Sequence, residues 1–470
     1  MIENILYLFP EISLLVGIIL VLIQKIFSVL SIKSYFKLTS VTVIISALFS
    51  ILFYNKNVFP AFFETNSYTI LFYILSCFMI FAWLNISIKW FVSEDTDPFI
   101  FCILSLLALF SFSLIIKTVN LGILFIGLTM LSSVNYSFLK FSQQNEEFHN
   151  VSNRYLITTG IFSILAIIGL FLLTPEYWNY TQAAEFLGSE NIKICVFIIC
   201  SILFYLLFLI GIAPFHFCFA DIVSPAVLPV AVYFNLIPLF SLFCVFIKIN
   251  TSVFVTLLPE LTLIYTIFGA LSLIVGAIGA NASRNLRKIF AYCGIYNLGM
   301  ILLLLLPFNS SDLLGGFIYL QVYVLALFGI YTTFYSFKSN GVYLTNLNMI
   351  NGIAKVRPFI SAALLFFMIS LMGISPFPGF IGQLSVLENI VTANSYFILF
   401  IALFSMIVLM AAFLQIIRSL YFNNKETEFN RPDYGVYAYL SINIILIIIL
   451  IFKPEFLLYD APAILNLVLE

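Results

Sequence analysis

Charge is what this sequence has least of. Only 9% of its 470 residues are Asp, Glu, Lys or Arg, where a soluble domain carries roughly a quarter, so a core solvated by water on all sides is excluded. A net charge of −1 and the lack of any long basic run exclude a nucleic-acid-binding surface. The seven cysteines (Cys77, Cys102, Cys195, Cys200, Cys218, Cys244 and Cys293) stand singly in apolar runs. With no CxxC pair and no His at ligand spacing, they read as packing residues and not as iron–sulfur or zinc ligands. No Gly-rich phosphate loop or dinucleotide fingerprint precedes a helix. The first apolar run, Ile5 to Ile23, lacks a basic leader and a small-residue cleavage site, and reads as a retained span rather than a signal peptide. The expectation is a chain with no redox centre, no metal and no cofactor of its own.

What is present is hydrophobicity: 63% of the residues are apolar or aromatic. Runs of about 20 such residues recur from end to end, each long enough to cross a hydrocarbon layer roughly 30 Å thick. Cores are read near 4–25, 37–54, 69–91, 98–116, 118–139, 155–174, 194–213, 226–247, 257–280, 289–306, 313–337, 358–378, 384–417 and 435–452. The fold class is therefore an all-α polytopic membrane protein of about 14 helices. The run 384–417 is long for one span and has room for a short broken helix before a full one. Under this alternation 15 of the 20 basic residues fall on one side, and only Lys56, Lys117, Lys193, Lys248 and Lys453 on the other. The excess marks the cytoplasmic side and puts both termini outside.

Gly211-Ile-Ala-Pro-Phe-His216 is echoed by Gly373-Ile-Ser-Pro-Phe-Pro378. Each copy lies between apolar runs, five spans apart, and an odd offset gives the two blocks opposite orientations. Inverted repeats with Gly/Pro-broken helices are a transporter device, because unwound backbone is tolerated at membrane depth only against protein or a wet cavity. Chance recurrence in an Ile- and Phe-rich chain is the competing reading. The division expected is a three-helix segment (1–95), a first five-helix repeat (96–250), a second (251–422), and a final helix with tail (423–470).

Ala213-Pro-Phe-His-Phe217 followed by Asp221, Pro225 and Pro229 resembles the PFHxWxPDVYxGAPxP stretch of the antiporter-like membrane subunits of NADH-quinone oxidoreductase, respiratory complex I. Asn285-Leu-Arg-Lys-Ile-Phe-Ala-Tyr292 is similar to their NLKRLLAYSS, and Ser370-Leu-Met-Gly-Ile-Ser-Pro-Phe-Pro-Gly-Phe-Ile-Gly382 to SLAGIPPLAGFIGK. Pro10-Glu11, Leu124-Phe-Ile-Gly-Leu128 and Arg154-Tyr155 fit the same template, so the likeness runs over almost the whole chain, with subunit N the best fit. The first motif is eroded: Cys218 stands for the Trp, Ala220 for the Pro before the Asp, and Val223 and Pro225 for the Tyr and Gly. The resemblance implies a bacterial inner-membrane protein with other membrane-arm subunits and the lipid bilayer as partners. It also implies a complex that uses NADH, or ferredoxin, and quinone to translocate protons.

It further implies a Glu on the fifth helix and Lys on the seventh, eighth and twelfth. Those positions hold Thr129, Leu209, Leu239 and Gln383, none of which supplies a titrating charge near neutral pH. The family mechanism is therefore not expected to carry over intact. The ionisable candidates left are Glu388, five residues past Gln383, His216 and Asp221 at the break, and Glu11 and Glu260 after a Pro at a helix start, where the helix dipole favours a carboxylate. Arg154 and Lys140 flank a loop whose charge the positive-inside rule explains. Beside each proton-relay role stands a plainer one: a cap for Glu11 and Glu260, an orienting hydrogen bonder for His216. Three functions follow from these residues. The first is a membrane-arm subunit with a weakened or lost proton path. The second is an Mrp-type cation/proton antiporter subunit, which needs mid-membrane charge. The third is a scaffold without transport.

Overall fold

In hydrocarbon every backbone N–H and C=O must find its partner within the chain, and an apolar run satisfies that only as a helix. The computed structural model describes residues 8–27, 31–53, 62–142, 146–189, 192–254, 257–304, 310–339, 342–423 and 434–453. Lys56, Lys425, Arg431 and both chain ends lie outside the described residues.

The described helices are, in order, α1 (Phe9–Ile26), α2 (Ile32–Leu52), α3 (Ser67–Glu94), α4 (Phe99–Lys117), α5 (Leu121–Phe141), α6 (Glu146–Leu173), α7 (Tyr180–Ser189), α8 (Ile192–Ile210), α9 (Phe219–Val223), α10 (Leu228–Leu236), α11 (Leu239–Ser252), α12 (Leu258–Ala282), α13 (Leu286–Leu304), α14 (Ser310–Ser336), α15 (Ile353–Val356), α16 (Pro358–Met372), α17 (Pro378–Thr392), α18 (Tyr396–Tyr421) and α19 (Tyr434–Phe452). Among the described residues thirteen helical segments are long and apolar enough to cross a membrane, α10 and α11 counting together as one. The fourteenth expected span is α16, only 15 residues long because Gly373 ends it. The long run 384–417 is indeed two helices, α17 and α18, parted at Asn394, which takes a positive φ of 53°. Hydroxyls inside the spans are silenced by bonding back one turn, as Ser105 does to Cys102 O and Ser111 to Ala108 O.

Two compact units divide the described chain. Unit 1 is built from 1–210 and 237–259, and unit 2 from 211–236 and 260–469. Unit 1 packs around an aromatic cluster in which Phe101 lies 4.7 Å from Trp83, 4.7 Å from Phe91 and 5.7 Å from Phe138, ring centre to ring centre. Such van der Waals packing is the main attraction between helices where lipid is as apolar as the side chains.

The repeat reappears at the level of elements. In each block three long helices (α4, α5, α6; α12, α13, α14) are followed by a short insertion and then a helix that ends on a glycine break (α8 at Gly211; α16 at Gly373). The insertion is α7 in the first block, and in the second the two-residue-stranded hairpin Lys338–Ser339 with Val342–Tyr343. Gly211 and Gly373 adopt φ of +90° and +66°, a region that penalises any residue with a Cβ. A second correspondence was not visible in the motifs. Asn120 caps α5 through the amides of Gly122 and Ile123, and Asn285 caps α13 through those of Arg287 and Lys288. Each Asn also forms a β-bridge to an Asn of the insertion, Asn179 in one block and Asn346 in the other.

Candidate functional site

The break of unit 2 is held by specific bonds. Past Gly211 the freed backbone N–H of Ala213 donates to Ser272 Oγ on α12 at 2.9 Å, and Phe215 meets Phe268 edge-on at 5.6 Å. His216 is half-buried in the 3₁₀ turn Phe215–Cys218. Asp221, on α9, is exposed and forms a 2.8 Å ion pair with Lys288 of α13. The adjacent Arg287 is buried and donates to Ala226 O at 2.6 Å, tying α13 to the loop after α9. The first and second sequence motifs thus meet in space.

The four positions at which the motif resemblance implies charge are placed as follows. Thr129 is half-buried on α5 and returns its hydroxyl to Ile126 O. Leu209 is half-buried at the end of α8, and Leu239 is buried at the start of α11, just after the helix break at Pro238. Gln383 is buried on α17 and donates through Nε2 to Leu371 O at 3.1 Å.

The interior of unit 2 holds the buried Arg287 and, beyond it, a set of neutral polar groups. Asn235 of α10 donates through Nδ2 to the hydroxyl of Tyr331 on α14. Gly294 of α13 leaves the space that Tyr323 OH and Asn235 Oδ1 border, since a Cβ there would lie 2.8 Å from the first and 3.6 Å from the second. One turn on, Asn297 accepts from Tyr319 OH at 2.8 Å, and the ring of Tyr319 packs on Gly382, next to Gln383. All of these side chains are buried. Asn235 Oδ1, Tyr323 OH, Gln383 Oε1 and both amide atoms of Gln321 have no hydrogen-bond partner among the described residues. Amides and phenols can orient water and pass hydrogen bonds, but they do not hold a charge near neutral pH.

Glu388 is not brought into this network. It lies five residues from Gln383 on α17, and at 100° per residue that turns it to the exposed face while Gln383 stays inside. Glu260 and Arg154 are exposed as well, and Lys140 is half-buried with Nζ 3.2 Å from His149 Nδ1.

Glu11 is in the first turn of α1, and its carboxylate receives a 2.6 Å hydrogen bond from Lys117 Nζ. Lys117 and Lys248 are two of the five basic residues that the charge asymmetry assigns to the outer side. Both are buried, and Lys248 pairs with Glu64 at 3.4 Å. The signal was available: each lysine ends or interrupts an apolar run instead of standing in a polar loop, and an ionisable residue so placed demands a partner. The Asn, Gln and Tyr groups of unit 2 give no such signal, because composition cannot separate a polar interior from a lipid-facing aromatic belt. Among the described residues no group of three or more His, Cys, Asp or Glu is arranged to hold a metal.

Residues 118–409 match the profile of a family described as NADH:quinone oxidoreductase/Mrp antiporter, transmembrane. The NADH-quinone oxidoreductase subunit N of Pelagibacter ubique is 24% identical over 352 residues, 74% of each chain. A chain of respiratory complex I from Thermus thermophilus superimposes with a TM-score of 0.80 at 19% identity, covering 96% of this chain and 99% of that one. A chain of the Mrp complex from Dietzia superimposes with a TM-score of 0.84 at 16% identity over the full length of both.

Proposed function

Because the chain belongs to the NADH:quinone oxidoreductase/Mrp antiporter transmembrane family, we propose that it is a subunit N-type component of the membrane arm of a proton-translocating NADH (or ferredoxin):quinone oxidoreductase, and that it has lost the charge relay of its family. The observation that carries the second half is the set Thr129, Leu209, Leu239 and Gln383. A proton moving along a buried axis needs groups that take and release charge, and these do not. In unit 2 the interior is instead lined by Asn235, Asn297, Tyr319, Tyr323 and Tyr331. The chain thus acts as a neutral link that helps join neighbouring subunits, while NADH and quinone are used elsewhere in the complex. We place it in a bacterial inner membrane with both termini on the periplasmic side, the orientation favoured by its basic residues. Its repeats are assigned to 96–250 and 251–422, flanked by 1–95 and 423–470.

A tag on this chain should recover NADH:quinone oxidoreductase activity and the other membrane-arm proteins from mild detergent. Recovery of a stable lone subunit would contradict the assignment. The Mrp reading is favoured by the full-length superposition on the Dietzia chain, but exchange needs titrating groups at mid-membrane. It predicts that everted vesicles bearing this chain collapse an imposed pH gradient when Na⁺ or K⁺ is added. The present assignment predicts no such response.

A further inference from the structure

Unit 1 has no charge at the positions its family uses, yet it buries two lysines. Lys117 closes α4 with its side chain 5% exposed, and its Nζ lies 2.6 Å from Glu11 Oε1, whose side chain is 13% exposed. The same ammonium sits 4.7 Å from the ring centre of Tyr73 on α3, a favourable position over a negative π face. Lys248, on α11, is 8% exposed and lies 3.4 Å from Glu64 Oε2, with Glu64 36% exposed. The ring of Tyr180 is 5.8 Å from Lys248 Nζ.

The two pairs meet at one stretch of backbone. Glu64 N–H donates to Lys117 O at 2.8 Å, and Lys248 Nζ donates to the next carbonyl, Thr118 O, at 2.9 Å. The same strand bridges Phe63 and, through Asn120, Asn179. Moving the Lys117–Thr118 backbone therefore disturbs both pairs, and opening either pair frees one of its anchors. A buried ion pair seldom adds net stability over well-packed apolar residues, but stranding one partner is costly. That asymmetry suits a closure that is either fully made or fully open.

We propose that Glu11–Lys117 and Glu64–Lys248 form a coupled latch that closes unit 1 at the end where α1 begins and α4 stops, keeping water from the side chains beneath it. Cys77 lies beneath it. This thiol is buried, and it is hydrogen-bonded to Tyr73 and within electrostatic reach of Lys117 and Glu11, which makes it a native reporter. The proposal rests on this geometry and not on whether the subunit pumps.

The test is the rate at which a small water-soluble maleimide modifies Cys77 in the isolated complex, read by mass spectrometry of its peptide. Lys117→Met and Glu64→Gln should each raise that rate by about tenfold or more, because opening one pair releases the other. Glu64 is the more exposed partner and does not touch Cys77, so Glu64→Gln decides the matter even if Lys117→Met fails to assemble. An unchanged Cys77 rate in Glu64→Gln overturns the latch, since the pairs are then independent. Cys293, buried in unit 2, is the control: an equal rise there means general loosening and also overturns it.

Discussion

Glu388 and Asp97 illustrate how burial sorts ionisable residues that look alike in sequence. Glu388 is the acid nearest in sequence to Gln383, but helical geometry turns it outward. Glu388→Gln is accordingly expected to leave both assembly and the proton-to-electron ratio of the complex unchanged. Asp97, between α3 and α4, pairs with Lys25 and accepts from Phe99 N–H at 3.0 Å. Partial burial pushes its carboxyl up, but the hydrogen bonds from Lys25 and Phe99 and the charge of Lys25 outweigh it and hold the pKa below the ordinary 3.8. A depressed acid stabilises the fold above its ordinary pKa, and this contribution disappears as pH falls through the folded-state value. The thermal stability of wild type over Asp97→Asn should therefore be constant from neutral pH to about pH 5, begin to shrink near the ordinary value of 3.8, and be lost as pH falls through the lower folded-state value. A gap that widens in acid would reverse the assignment. At this scale the sequence was least legible. The positions of Lys117 and Lys248 at apolar runs show that each needs a partner, but not that the partners are Glu11 and Glu64, which are remote in sequence, whereas the uncharged Leu209 and Leu239 are read directly.

Among the elements, the broken helices were the most readable, because Gly and Pro together interrupt a helix whatever surrounds them. Gly373 combines a left-handed φ of +66° with crowding: a Cβ would stand 1.9 Å from Gln383 Oε1. Gly373→Ala should destabilise the assembled subunit by about 1–3 kcal/mol, seen as a lower midpoint in thermal scans. Gly160→Ala on α6, where a Cβ meets nothing within 4 Å, should not lower it. The equivalence of the Asn120 and Asn285 caps is not legible in the sequence, because the two segments share only Asn-Leu. Their equivalence depends on bridges to Asn179 and Asn346, which are remote in sequence. The span count was legible from hydropathy, except that α16 is cut to 15 residues by its glycine.

For the whole molecule, the fold of the NADH:quinone oxidoreductase/Mrp antiporter transmembrane family is combined with uncharged residues at the four positions where the motif resemblance implies charge. Unit 2 keeps buried hydroxyls and amides with unmet hydrogen bonds, and in unit 1 the two buried lysines, Lys117 and Lys248, are each matched by a carboxylate. On the proposed reading such a subunit preserves shape and packing while the proton work falls to its neighbours. The most direct measurement is the number of protons translocated per electron pair by the assembled complex in proteoliposomes, with Gln383→Met in this chain. This substitution removes the polar group at the family's last charge position at nearly constant volume. The ratio should equal that of the wild-type complex. A lower ratio with assembly and NADH oxidation intact would contradict the account and return a proton path to this subunit.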